Sequence, residues 1–223
     1  MLDVAIRKPD GSTAVDWQHV GLRTAPPLPV APALREVLPD GLRRGSTVSV
    51  SGSMSLLLAL LGAASGDGAW CALVGFPRLS AEAAAEYGVD LSRLAFVPGP
   101  GSGWTTAVGA LLDAVDIVAA RPPRGRGLAP GDVRRLAARA RSKDAVLVPY
   151  VSDSWPGADV RLHAQAGEWS GIGRGRGRLR ARRVDVTAAG KGTAARRRSA
   201  QLWLPADGGG VDQAPAPVID LAG

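Results

Sequence analysis

The chain has 223 residues, 46% apolar but only 4% aromatic, which suits one ordinary domain with an aliphatic, Ala-rich core. Its net charge of +7 is concentrated, because residues 174–198 hold nine Arg and Lys191 against Asp185, a local +9 that leaves −2 elsewhere. The lone Cys71 excludes an internal disulfide and a cysteine zinc cluster; charges at Asp3, Arg7, Lys8, Asp10 and Asp16 read against a secretory signal, and the longest apolar run, LLLALLGAA, is too short for a bilayer, so a soluble cytoplasmic protein is expected.

Residues 1–33 read as an arm ending in the stiff, Pro-rich linker TAPPLPVAP, set to pack either on a partner or on its own domain. STVSVSG (46–52) is short and β-branched, a predicted strand, and Ser53 is the expected cap of MSLLLALLGAAS, a helix with no polar face. AWCALVG (69–75) is continuously apolar, as a strand buried on both faces should be, with Cys71 a buried structural thiol. SAEAAAEYG (80–88) predicts a helix capped by Ser80 and stopped by Gly88. LAFV (94–97), WTTAVGALLDAV (104–115), DIVAA (116–120), DVRRLAARARSK (132–143) and AVLVPYV (145–151) continue the rhythm of strand and helix. Five strands alternating with four helices predict an α/β domain over 34–205 with a parallel central sheet flanked by helices. Beyond Trp155-Pro156, DVRLHAQA, GEWSGIG, RLRARRVDVT and SAQLWLP predict short antiparallel strands joined by Gly turns, and 206–223 reads as a flexible tail.

The phrases GLRRGSTVSVSG, LLALLGAASGDGAWCALVG, AAEYGVDLSRLAFVPGP and LLDAVDIVAARPP, in that order, resemble the RecA recombinase core over about residues 34–151. A phosphate loop needs Gly-x-x-x-x-Gly-Lys-Ser/Thr, where backbone N–H groups cradle phosphate, Lys balances its charge and the hydroxyl holds magnesium. Counted from Gly52, the last three positions are Leu57, Leu58 and Ala59; a shortened loop past Ser53 puts Met54 and Ser55 there, and no Lys lies between Lys8 and Lys143. The magnesium-ordering Asp after the fourth strand falls at Arg121, and the water-activating Glu after the second falls at Pro77. Each substitution removes a different part of phosphoryl transfer, so no catalytic residue, cofactor or metal is expected.

A RecA-like domain without these groups, on an Arg-rich chain of this length, resembles the actinobacterial branch of the ImuA family of mutagenesis accessory proteins. That resemblance implies a damage-inducible role in translesion synthesis. It further implies three partners: an inactive Y-family polymerase-like protein of the ImuB type, an error-prone replicative-type polymerase, and a RecA-type protein. A rival reading is a division inhibitor of the SulA type, acting by protein binding alone.

RGRGRLRARR is the sharpest local feature. Strand periodicity puts Arg174, Arg176, Arg178, Arg180 and Arg182 on one face, with Arg183 beside them, and Arg196, Arg197 and Arg198 are placed on the partner strand of the same hairpin. Such a face either contacts DNA phosphates or is a solvated edge strand; both readings stand at this point. Trp70 and Trp203 read as core, whereas Trp104, Trp155 and Trp169 sit at element ends, where packing or base stacking is open to them. His19 and His163 are too isolated to suggest catalysis, and VIDL (218–221) is a docking candidate.

Overall fold

The structure, a computed structural model, describes residues 25–123, 128–173, 176–191 and 196–215. Strands β1 (Val48–Ser51), β2 (Cys71–Val74), β3 (Leu94–Val97), β4 (Ile117–Ala120) and β5 (Val146–Pro149) alternate with helices α1 (Met54–Gly66), α2 (Ala81–Ala85), α3 (Trp104–Leu112) and α4 (Pro130–Ser142). Strands β6 (Val160–Gly173), β7 (Arg176–Gly190), β8 (Arg198–Trp203) and β9 (Asp212–Gln213) follow.

The strands form two groups, β3-β2-β4-β5 and β1-β6-β7-β8-β9. The bridges Thr47–Leu147 and Val50–Tyr150 join β5 to β1 in parallel, with Leu147 N–H donating to Ser46 O at 3.0 Å. Pairing is parallel from β3 through β1 to β6 and antiparallel from β6 onward. This is the predicted α/β architecture with its C-terminal antiparallel strands.

The apolar runs of the parallel strands are continuous because alternate residues feed two cores. Cys71, Leu73, Ile117, Ala119, Val146 and Val148 pack with α1, while Ala72, Val74, Val118, Ala120 and Leu147 pack with α3 and α4. Helix α1 has no polar face for the same reason: Leu56, Leu57, Leu58, Leu60 and Leu61 are all buried. Ser53 caps it, its Oγ accepting from Leu56 N–H at 3.3 Å. The helix also passes close beneath the turn after α2, where a Cβ on Gly62 would lie 1.8 Å from Tyr87 O.

Burial pushes the Cys71 thiol up from 9.0 to about 12. Between those values the unfolded chain ionises while the folded one does not, so this group favours folding below pH 9 and that contribution fades as pH rises toward 12. The thiolate is the reactive form, so labelling by a thiol reagent at pH 8 is expected to be slow in the native protein and to become rapid and stoichiometric in denaturant. Equal rates in both states would place Cys71 at the surface.

Four readings from sequence are corrected. Residues 25–33 are not a linker outside the domain, and of the two packings open to the arm they take their own domain: Leu28 and Val30 are buried, and Leu28 exchanges backbone hydrogen bonds with Leu42 at 2.8 and 2.9 Å. Gly41 permits this, with φ of +68° and no Cβ to meet Leu28 O. Likewise residues 206–215 are folded against the domain, through the pairing of β9 with β8 and the burial of Ala214. VIDL lies outside the described residues. Trp70 is 46% exposed rather than core, because it precedes the buried run and uses its backbone, not its ring, to bind Asp116. Finally, the segments on either side of Gly167 are one continuous strand, β6. Gly167 marks a close approach instead of a turn, since a Cβ there would sit 1.9 Å from Arg183 O.

Candidate functional site

Two regions bring the singled-out residues together. The first lies at the carboxyl ends of the parallel strands, where open α/β sheets bind ligands. Strand β1 ends at Ser51 and α1 begins at Met54, so Gly52 and Ser53 alone make the connection. Gly52 has φ of +85°, and a Cβ on it would lie 2.0 Å from Ala164 O of β6. The turn is pressed against the neighbouring strand, and the Ser53 hydroxyl is spent on the helix cap. Burial pushes the nearby Tyr87 phenol up, with Ser55 acting against that rise.

Arg121 N–H donates to Val74 O at 2.8 Å, which fixes the residue above β2 and β4. Its guanidinium lies 5.6 Å from the Tyr150 ring centroid, and Tyr150 packs against Phe76 at 6.0 Å. Two clefts open here. One, of about 920 Å³, is lined by Gly52, Arg121, Tyr150, Ser152 and Trp155 among others. The other, of about 550 Å³, includes Met54, Phe76, Pro77, Trp104 and Arg121 in its lining. Gly52 thus lines one cleft and Met54 and Pro77 the other, and Arg121 belongs to both. Trp104 and Trp155 are buried here, so packing is their role. The Arg121–Tyr150 stack was not legible in the sequence, since Tyr150 stood in a predicted strand with no signal pointing to position 121.

The second region is the hairpin of β6 and β7. It outruns its neighbours: β1 pairs only with residues 160–163 of β6, and β8 only with 183–188 of β7. From Gly167 to Ala181 the two strands are thus bonded mainly to each other, with register shifts near Ala166 and Ser170 that twist the ribbon. Arg178 and Arg180 are exposed on it. Arg176 opens β7, while Arg174 lies outside the described residues.

The remaining arginines divide. The Arg182 guanidinium lies over the Trp169 ring at 5.7 Å, and its backbone N–H donates to Pro205 O at 3.0 Å. Arg183 is committed inward, donating to Gln201 Oε1 and, at 3.4 Å, to Pro215 O; Gln201 in turn donates to Asp185 at 2.8 Å. Arg198 pairs with Ala188, ten residues along β7 from Arg178, which at ~3.3 Å per residue separates them by roughly 30 Å. Arg196 and Arg197 are exposed at that far end. Arg198 thus lies on β8, the strand paired with β7, and the basic residues of this hairpin fall in two patches at opposite ends of β7. Beside Arg178 and Arg180 stand Trp169, 46% exposed, for which the sequence left base stacking open, and two groups it passed over as binding residues: Ile172 is 59% and Leu179 50% exposed. Their only signal was large apolar side chains in a Gly- and Arg-rich ribbon.

A family model described as the MT3502 N-terminal domain matches residues 36–157, more than half of the chain. The chain belongs to the MT3502 N-terminal domain family. Its matched segment covers β1 to β5 and the two clefts at their ends. The uncharacterized protein Rv3395c of Mycobacterium tuberculosis is 36% identical over 127 residues, 57% of this chain and 61% of that protein. Among solved structures, the RadB recombinase crystal structure aligns with a TM-score of 0.61 at 14% identity, covering 82% of this chain and 97% of that one. The fold of this member of the MT3502 N-terminal domain family is RecA-like. Among its described residues no helix is long and apolar enough to cross a membrane.

Proposed function

We propose that this protein is a non-catalytic accessory factor of the ImuA type, recruiting or regulating an error-prone polymerase at damaged DNA. The observation that carries the reading is the turn at Gly52-Ser53. In a RecA-like fold the triphosphate is held by an extended loop at this place, and here two residues span the gap, with the hydroxyl bound into the helix cap. Arg121, stacked on Tyr150, puts a cation where a metal-ordering carboxylate is needed. Function then resides in surfaces. The partners are an ImuB-type polymerase-like protein, a replicative-type error-prone polymerase and a RecA-type protein, and DNA is met through Arg178 and Arg180. The place of action is the cytoplasm, at the nucleoid.

Affinity capture of the tagged full chain from cells exposed to a DNA-damaging agent is expected to recover polymerase subunits, and deletion of the gene to suppress damage-induced mutation. Calorimetry with ATP and magnesium is expected to give no saturable heat below about 1 mM, weaker than roughly 4 kcal/mol of binding. Recovery of a tubulin-like division protein in place of polymerases would move the assignment to a SulA-type inhibitor. ATP turnover would overturn it altogether.

A further inference from the structure

Of the six large apolar side chains that the described residues leave exposed, Trp169, Ile172 and Leu179 lie on one two-stranded ribbon. Such ribbons are marginal in water unless something covers their apolar groups. The β6–β7 ribbon runs past β1 on one side and β8 on the other, so no element among the described residues pairs with its outer part. Charge indicates what does. Arg178 and Arg180 are exposed, and among the described residues no carboxylate stands within ion-pair distance of either. Glu168 is the one acidic residue between positions 160 and 184. A basic, apolar ribbon of this composition calls for a polyanion that also carries flat apolar faces.

We propose that the β6–β7 ribbon is a binding site for single-stranded nucleic acid, with Trp169 as a base-stacking platform and Arg178 and Arg180 as phosphate contacts. The proposal deepens, and rests on, the reading of this protein as a factor acting at DNA. Arg182, register partner of Trp169, holds its guanidinium over the indole at 5.7 Å. This cation–π contact fixes the ring and leaves 46% of the residue open to a base. From the rung of Trp169 the ribbon continues to the rung of Ile172 and Gly177, with Arg180 and Arg178 falling between them. Stacking surface and cations thus follow one another along the ribbon, the arrangement that tracks an unpaired strand without reading its sequence. A duplex hides its base faces and offers phosphates alone, so the strand state is selected by Trp169 and not by the arginines.

The test uses the purified full chain and fluorescence anisotropy with a labelled oligothymidine, the same oligonucleotide in a duplex, and a salt titration. Tighter binding to the single strand is expected. Trp169→Ala should weaken it about ten-fold while leaving duplex binding unchanged, and Trp169→Phe should restore most of the loss. Replacing both Arg178 and Arg180 by Ala should weaken single-strand and duplex binding together and lower the log–log salt slope for the single strand by about 1.4. Unchanged thermal midpoints keep these effects separate from misfolding. Equal binding of both strand states, an unaffected Trp169→Ala variant, or no oligonucleotide binding at all would each overturn the proposal. Recovery of polymerase subunits by a chain that ignores oligonucleotides would sink this inference and leave the accessory role intact. Strand binding without polymerase recovery would do the reverse.

Discussion

Gly62→Ala is expected to destabilise the fold by about 2–3 kcal/mol, although alanine is the better helix former by about 1 kcal/mol. The position lies within α1, and an added methyl would begin 1.8 Å from the carbonyl oxygen of Tyr87, a backbone atom that cannot swing aside. Relief requires either helix or turn to move, and both are tied down. Ser65 Oγ accepts the Asp90 N–H at 3.0 Å, and Leu60 and Leu61 before Gly62 and Ala64 after it are buried. Urea denaturation measures the loss, with the midpoint falling and the slope unchanged. Gly66→Ala, near the end of the same helix, has nothing closer than Gly88 O at 3.8 Å and should be neutral or mildly stabilising. Matched behaviour of the two variants would mean that helix propensity, not the close crossing, governs α1.

The second large effect concerns the chain's entry into the domain. Leu28→Asp is expected to cost about 3 kcal/mol or more, because it sets an unpaired carboxylate among buried apolar groups. Leu28 is 5% exposed and belongs to the core cluster that contains Leu34, Leu42 and the α1 leucines. At ~2–4 °C per kcal/mol for a chain of this size, the thermal midpoint should drop by about 10 °C. Ala25→Asp, three residues earlier and exposed, should leave it within about a degree. An unaltered midpoint for Leu28→Asp would mean that residues 25–33 do not pack on their own domain.

These two positions also mark where reading the sequence succeeded and where it stopped. The parallel strands were legible because their apolar runs are continuous, which only burial on both faces explains, and the Ser53 and Ser80 caps stood at the predicted helix starts. Leu28 was missed because four prolines in nine residues signal an extended chain, and an extended chain can equally be pinned against a core by a few side chains. Gly167 was misjudged for a similar reason. Glycine serves turns and close approaches alike, and only the partner strand's position distinguishes them.

At the candidate sites the split follows from the same physics. Arg121 and Pro77 lie just beyond the ends of β4 and β2, two strands whose existence the apolar runs revealed although their first residues were set one or two positions too early. Arg178 and Arg180 kept their strand and their exposure, whereas Arg183 and Arg198 do not join them. Register with β8 decides which end Arg198 occupies, and inward partners such as Gln201 claim Arg183; neither fact is local in sequence. The stack of Arg182 on Trp169 likewise depends on cross-strand pairing over a bulge.

The contact of Gly52 with Ala164 has a consequence for how chains of this kind can vary in length. A residue inserted between β1 and α1 would need the space that β6 now fills, and shifting β6 would drag the root of the ribbon with it. Insertions and deletions are therefore shut out of that corner, and regaining a long loop there would demand rebuilding half the sheet in a single step.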